Sequence, residues 1–315
     1  SSRFLMGTYA VIGTGGVGGY YGARLQQAGQ DVHFLAHSDC AHIRKRGLVI
    51  QSRDGDFRLP QVNVYRDPRR MPRCDVVIIA LKAIHNRRLP GILPHLMPRR
   101  GGVALLLQNG LNQERQVARI VGGSRVMSGL CFVCLNKIGP GHIHHLDYGK
   151  VTLADYRPGW KQAGITARMQ SIGRDLEQAR IPVTYVEDLW SARWRKLVWN
   201  VPFNGLSVLL NADTRRIMEN PATSDLAHAL MKEVIQGARA SGARMPRDFD
   251  ETMMTDTRRM KPYETSMLLD YRKGKPMEVD AIYGEPLRTA AASGKSLPRI
   301  ETLYRLLSGL TTNCE

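Results

Sequence analysis

Three polar residues in Trp194-Arg-Lys196-Leu-Val-Trp-Asn200-Val-Pro-Phe-Asn204 stand four apart. On a helix that spacing puts Lys196, Asn200 and Asn204 on one face, with a drift of about 40° per step. One cation and two carboxamides in a row supply what a small oxo acid needs, donors for its carboxylate and a proton source beside its carbonyl. The same spacing also builds a solvated polar stripe, so by itself it leaves both readings open.

A second stretch narrows the choice. Ala10-Val-Ile-Gly13-Thr14-Gly15-Gly16-Val17-Gly18-Gly-Tyr-Tyr-Gly22 runs from an apolar strand through a glycine turn into a helix. Gly13 permits the tight turn, Gly15 lets the backbone approach a pyrophosphate, and Gly18 lets the helix lie close to the strand. The free N–H groups and dipole of that helix then face an anion. A following strand, Asp31-Val-His-Phe-Leu35, completes a βαβ unit of the length that binds a dinucleotide.

These residues need two sets of elements to hold them, and 315 residues are enough for two cores. The first half reads as α/β. The runs 75–81 and 103–107 are continuously apolar, as strands buried on both faces are, and they end in Lys82 and in Gln108-Asn109-Gly110. In an open sheet the carboxyl ends of strands face the ligand, which directs Lys82 and Asn109 toward a coenzyme. Asp54-Gly55 between 47–51 and 57–59 marks a hairpin, and 125–156 reads as β-rich. From residue 188 onward the chain reads as helical, giving a dinucleotide-binding domain over 1–187 and a helical domain over 188–315.

Composition limits the partners. Lysine and arginine give a net charge of +17, but the cations are scattered in pairs without interleaved aromatics, so a basic surface is expected and a nucleic-acid site is not. No apolar run reaches the roughly 20 residues that cross a bilayer. Ser1–Met6 is polar and shows no leader, so a cytoplasmic address is expected. Cys131 and Cys134 form a lone CxxC on a strand, where positions three apart face opposite ways, and His142, His144 and His145 read as a half-exposed strand. No metal site is expected.

The motifs together resemble the ketopantoate reductases (2-dehydropantoate 2-reductases). The resemblance rests on the 13–18 loop, Leu106-Leu-Gln-Asn109-Gly110, the Lys196-Asn200-Asn204 face, and Ser266-Met-Leu-Leu-Asp270 followed by Gly274-Lys-Pro-Met-Glu278-Val-Asp280. Gly139-Pro-Gly141 with His145 is similar as well, and the likeness covers the whole chain. It implies a Rossmann domain, an all-helical C-terminal domain similar to that of 6-phosphogluconate dehydrogenase, and an active site in the cleft between them; many relatives are dimeric, but no interface is identifiable in the sequence, so a homodimer stays open. It also implies NADPH-dependent reduction of 2-dehydropantoate to (R)-pantoate, on the way to pantothenate and coenzyme A.

By the same resemblance Lys196 is the general acid, and Asn109, Asn200, Asn204 and Ser266 bind substrate. Gly13, Thr14, Gly15, Gly16, Val17, Gly18, His37, Lys82, Asn109 and Glu278 then bind NADP(H). A free lysine has a pKa of about 10.4, and burial would bring it nearer the working range of an acid. Three departures from the family pattern stand out. His37 occupies a position where an arginine commonly meets the 2′-phosphate, and nearby Asp39 argues for NADH. Pro202 inside the catalytic helix removes a hydrogen bond and should kink it between Asn200 and Asn204. Tyr263, a bulky phenol before Ser266, would reshape the pocket. A different 2-oxo acid as substrate, or a non-catalytic coenzyme sensor, therefore stay open as alternatives.

Overall fold

A computed structural model describes residues 7–311. The Ser1–Met6 stretch on which the reading of a missing leader rests lies outside the described residues, as does Cys314.

The strands are β1 (Thr8–Ile12), β2 (Asp31–Leu35), β3 (Leu48–Ser52), β4 (Phe57–Leu59), β5 (Asn63–Tyr65), β6 (Val76–Ile79), β7 (Val103–Leu106), β8 (Val126–Gly139), β9 (His142–Asp155) and β10 (Val183–Tyr185). The helices are α1 (Gly16–Gln27), α2 (Cys40–Arg46), α3 (Leu93–Leu96), α4 (Gln113–Val121), α5 (Ala167–Gln178), α6 (Leu189–Leu210), α7 (Thr214–Glu219), α8 (Pro221–Ala240), α9 (Phe249–Arg259), α10 (Ser266–Arg272), α11 (Glu285–Ala292) and α12 (Pro298–Thr311).

The chain divides into two compact units. One comprises residues up to Gln108 together with Gln113–Leu189, and the other comprises Asn109–Asn112 with the residues from Trp190 onward. The later break falls in the first turn of α6, and Trp190 is anchored in the second unit by its Nε1–H bond to Ser241 O at 2.8 Å. The short loop 109–112 leaves the first unit for reasons given below.

The first unit is built on one ten-stranded sheet of order β4-β3-β9-β8-β7-β6-β1-β2-β5, with β10 on β9. The apolar strands β1, β6 and β7 pair in parallel at its centre, and every residue of β6 and β7 is buried. Antiparallel pairing enters at the β3–β4 hairpin, which turns at Gly55 with φ of +111°, and in the long β8–β9 hairpin. α1 and α5 cover this sheet through Tyr21, Leu25, Ile172 and Leu176. The helical unit buries a separate core around Trp194, Leu197, Val201, Leu230, Val234 and Tyr283, and Leu111 from the 109–112 loop belongs to it. α7 is a short helix of six residues capped by Asp213, whose side chain accepts from Arg216 N. Among the described residues no helix is long and apolar enough to cross a membrane.

β9 is half-exposed over 142–149, with burial alternating along it, and His145 is on its buried side beside Tyr20, with ring centroids 4.5 Å apart. The two CxxC cysteines are both buried on β8, opposite a stretch of β9 where Gly149 and Leu146 are passed over in the pairing. Burial pushes the Cys134 thiol up to about 12, far from the thiolate that metal or redox chemistry requires.

Candidate active site

In the first unit the glycine loop is shaped for an anion. Gly13 has φ of +99°, which favours glycine, and its N–H donates to Leu35 O at 3.0 Å, closing the turn after β1. A Cβ at Gly18 would lie 2.0 Å from Gly13 O, so only glycine lets α1 start this close to the strand. A Cβ at Gly15, by contrast, would meet nothing within 4 Å. Open space thus lies before the N-terminus of α1, where no side chain caps the helix and no acidic residue stands in the first turn. The first backbone N–H groups of α1 and its dipole are left for a phosphate, so the loop fits a dinucleotide. Thr14 is buried, and Gly16 and Val17 are half-buried at the start of the helix.

Two further residues expected to meet the coenzyme lie past the ends of strands of the same unit. His37 and Ser38 are exposed just past β2. Lys82 is half-buried past the end of β6, where burial and the cations of Arg88, Arg87 and Lys82 hold the His85 imidazole below its ordinary value. That cluster of positive charge suits phosphate. A polar network fixes the strand ends here. The Gln108 side-chain amide donates to Leu81 O at 2.8 Å and to Asn86 Oδ1 at 2.7 Å, and Asn86 donates to Gln113 Oε1 at 2.8 Å. Sequence reasoning missed Asn86 and Gln113, since single polar residues outside a spaced pattern carry no signal.

The second unit gathers the remaining residues. Lys196 is half-buried on α6, while Asn200 and Asn204 are 7% and 4% exposed. Neither carboxamide has a hydrogen-bond partner among the described residues. Buried amides normally bond to something, so these two are available to a ligand. A solvated stripe would be exposed, and this face is not.

α6 passes through Pro202 as one helix. Proline leaves the Val198 carbonyl without its donor, and one turn further the Tyr283 hydroxyl donates to Val201 O at 2.7 Å. Asn204 is held from below. Ser207 Oγ donates to Asn204 O at 2.8 Å and shares a 2.6 Å hydrogen bond with Thr265 Oγ1. Thr265 caps α10 by accepting from Leu268 N at 3.2 Å. Ser266 is therefore the first residue of α10, exposed and not itself the cap. The Tyr263 ring lies 6.4 Å from that of Trp199.

Glu278 is 8% exposed, not a surface carboxylate. It precedes a π-helical turn, Asp280–Gly284, in which Glu285 N donates to Asp280 O. The next residue, Pro286, has no N–H, so the Ala281 carbonyl lacks a helical donor. Leu111 N supplies one at 3.0 Å. Gly110 makes the approach possible, since a Cβ there would lie 2.5 Å from Ala281 O. Asn112 adds bonds from Nδ2 to Glu285 Oε2 at 2.7 Å and Thr289 Oγ1 at 3.2 Å. Asn109, half-buried, is thereby carried on a loop fastened beside the Glu278 segment.

Residues 9–158 match the family described as "Ketopantoate reductase PanE/ApbA", and residues 188–311 match its C-terminal family. A 2-dehydropantoate 2-reductase of a Nostoc species is 50% identical over 96% of this chain and 94% of its own length. The crystal structure of 2-dehydropantoate 2-reductase from Geobacter metallireducens superposes with a TM-score of 0.91 at 36% identity, covering 98% of this chain and all of that one. At 17% identity, a D-mandelate dehydrogenase bound to NADH and anilino(oxo)acetate shares the fold with a TM-score of 0.86, covering 98% of this chain and 99% of that one. With its nicotinamide-dinucleotide fold and with both halves matched, the chain belongs to the ketopantoate reductase family of oxidoreductases.

Proposed function

We propose that this protein reduces 2-dehydropantoate to (R)-pantoate with NADPH. The observation that carries the reading is the Lys196-Asn200-Asn204 face, a half-buried cation above two buried carboxamides with no protein partner among the described residues. When bound, the nicotinamide supplies a hydride to the ketone carbon. The chain's residues do the rest.

Lys196 Nζ donates a proton to the ketone oxygen as charge develops on it. Asn200 and Asn204 donate amide N–H groups to the carboxylate and hydroxyl of the substrate, and the exposed Ser266 hydroxyl completes that set. Asn109 stands near the reacting centre. The 13–18 loop, His37 and Lys82 hold the phosphates, and Glu278 binds the coenzyme and helps order the closed site. The proposed assembly is a homodimer, as in many relatives.

Following coenzyme oxidation at 340 nm with 2-dehydropantoate and a panel of other 2-oxo acids tests substrate and coenzyme together. Lys196→Ala should lower kcat by about 10²–10⁴-fold, the usual weight of a general acid, and leave the coenzyme Kd unchanged. Retained turnover would remove Lys196 from the role.

A further inference from the structure

Discrimination between NADH and NADPH in a Rossmann unit turns on whether a carboxylate near the end of the second strand is available to grip the ribose diol. The β2–α2 connection, Ala36-His37-Ser38-Asp39, contains one carboxylate, Asp39. It is 5% exposed, although it follows two exposed residues. Its side chain is turned toward the β8–β9 hairpin. There Oδ2 forms an ion pair with Lys137 Nζ at 2.5 Å and accepts from Gly141 N at 3.0 Å, while Oδ1 accepts from Ser38 Oγ at 3.3 Å. The turn that receives it is itself fixed, since Val49 N donates to Gly141 O at 2.8 Å. Burial alone would raise the Asp39 carboxyl, but Lys137, Gly141 and Ser38 outweigh it and hold the group below its ordinary value. The carboxylate is thus charged and also compensated, with both oxygens occupied.

We infer that the Lys137–Asp39–Gly141 clamp sets coenzyme preference, by withdrawing the carboxylate of the β2–α2 connection from the ribose and cancelling its charge. With Asp39 withdrawn, His37 and Ser38 are the exposed groups past β2, and neither repels a 2′-phosphate. Asp39 and Lys137 are positioning residues in this account, since they act through what they remove from the site. The inference rests on the proposed use of NADPH.

The test uses the full-length protein in four forms: wild type, Lys137→Met, Asp39→Asn and the double variant. Dissociation constants for NADPH and NADH, and kcat/KM with each, give a preference ratio. Releasing the carboxylate in Lys137→Met should shift the ratio toward NADH by about fivefold to tenfold, the order expected for one uncovered charge near a phosphate in a part-exposed site. Asp39→Asn, still able to accept from Gly141, should keep the wild-type preference, and in the double variant it should restore that preference. Equal weakening of both coenzymes in Lys137→Met, or no restoration in the double variant, would overturn the clamp, since a merely structural role moves both coenzymes together. Should Lys137→Met not fold, a changed preference in Asp39→Asn alone would overturn it. Failure of the NADPH reading shows differently, as a wild-type preference for NADH.

Discussion

The Tyr283 hydroxyl donates to the Val201 carbonyl at 2.7 Å, between the two asparagines of α6 and beside the proline that interrupts its ladder. Burial holds this phenol well above its ordinary value, so it stays protonated and donates. Gly205, one turn on, has no side chain because a Cβ there would lie 2.7 Å from the same oxygen. The backbone between Asn200 and Asn204 is thus supported by a side chain where the helix's own bonds are depleted. Tyr283→Phe should cost about 1–2 kcal/mol of stability, the value of one buried hydrogen bond. It should also raise KM for the oxo acid while leaving the coenzyme Kd unchanged. Urea unfolding and steady-state kinetics check the pair, and an unchanged KM would confine Tyr283 to stability.

The glycine loop separates binding from folding. Gly15→Ala places a methyl in open space at a backbone with φ of −70°, so thermal stability should hold while coenzyme affinity falls at least tenfold, because the methyl occupies the phosphate's approach. Gly18→Ala drives Cβ into Gly13 O and should lower Tm first. Calorimetry with and without coenzyme distinguishes the two, and equal losses of Tm would contradict the assignment of Gly15.

His145 gives a pH dependence with a definite sign. Burial is the largest influence and holds its imidazole below the ordinary value of about 6.5. The neutral ring is satisfied on both sides, with Nδ1 2.8 Å from Ser52 Oγ and Nε2 2.6 Å from Tyr148 O. Below about pH 6.5 the unfolded chain binds a proton that the folded ring refuses, so stability is lost as pH falls toward the folded value. Tm should decline between pH 7 and 5, and His145→Gln should flatten that slope. A slope equal to wild type would assign the acid sensitivity elsewhere.

Much of this was legible from residue order. The β1–α1–β2 unit follows from a glycine pattern whose steric reasons reappear as the close approach at Gly18 and the open space at Gly15. The Lys196-Asn200-Asn204 face was legible as a spacing, but the burial of Asn200 and Asn204 was not, because it comes from packing in the folded unit and leaves no mark in the spacing. The full burial of His145 was not legible for a similar reason. Strand alternation gives the side on which a residue lies, and only the packing of Tyr20 against that side decides whether water reaches it. Asp39 could be read from sequence as an available acid, since nothing in its neighbours announces a lysine almost a hundred residues later.

The bonds from Leu111 and Asn112 to the segment around Ala281 and Glu285 also bear on how the molecule is made. Asn112 and Glu285 are 173 positions apart, and the loop they join is synthesised long before its partner. Until residues 281–289 emerge, Leu111 N and Asn112 Nδ2 lack the acceptors they meet there in the folded chain, and the Ala281 carbonyl cannot be satisfied by its own helix. The entropy of closing so long a span grows only slowly with its length, but the search is slow because the contact is so distant in sequence. The second unit therefore completes its hydrogen bonding late, with a piece of chain borrowed from the first half, and the C-terminal segment expressed alone would lack that piece.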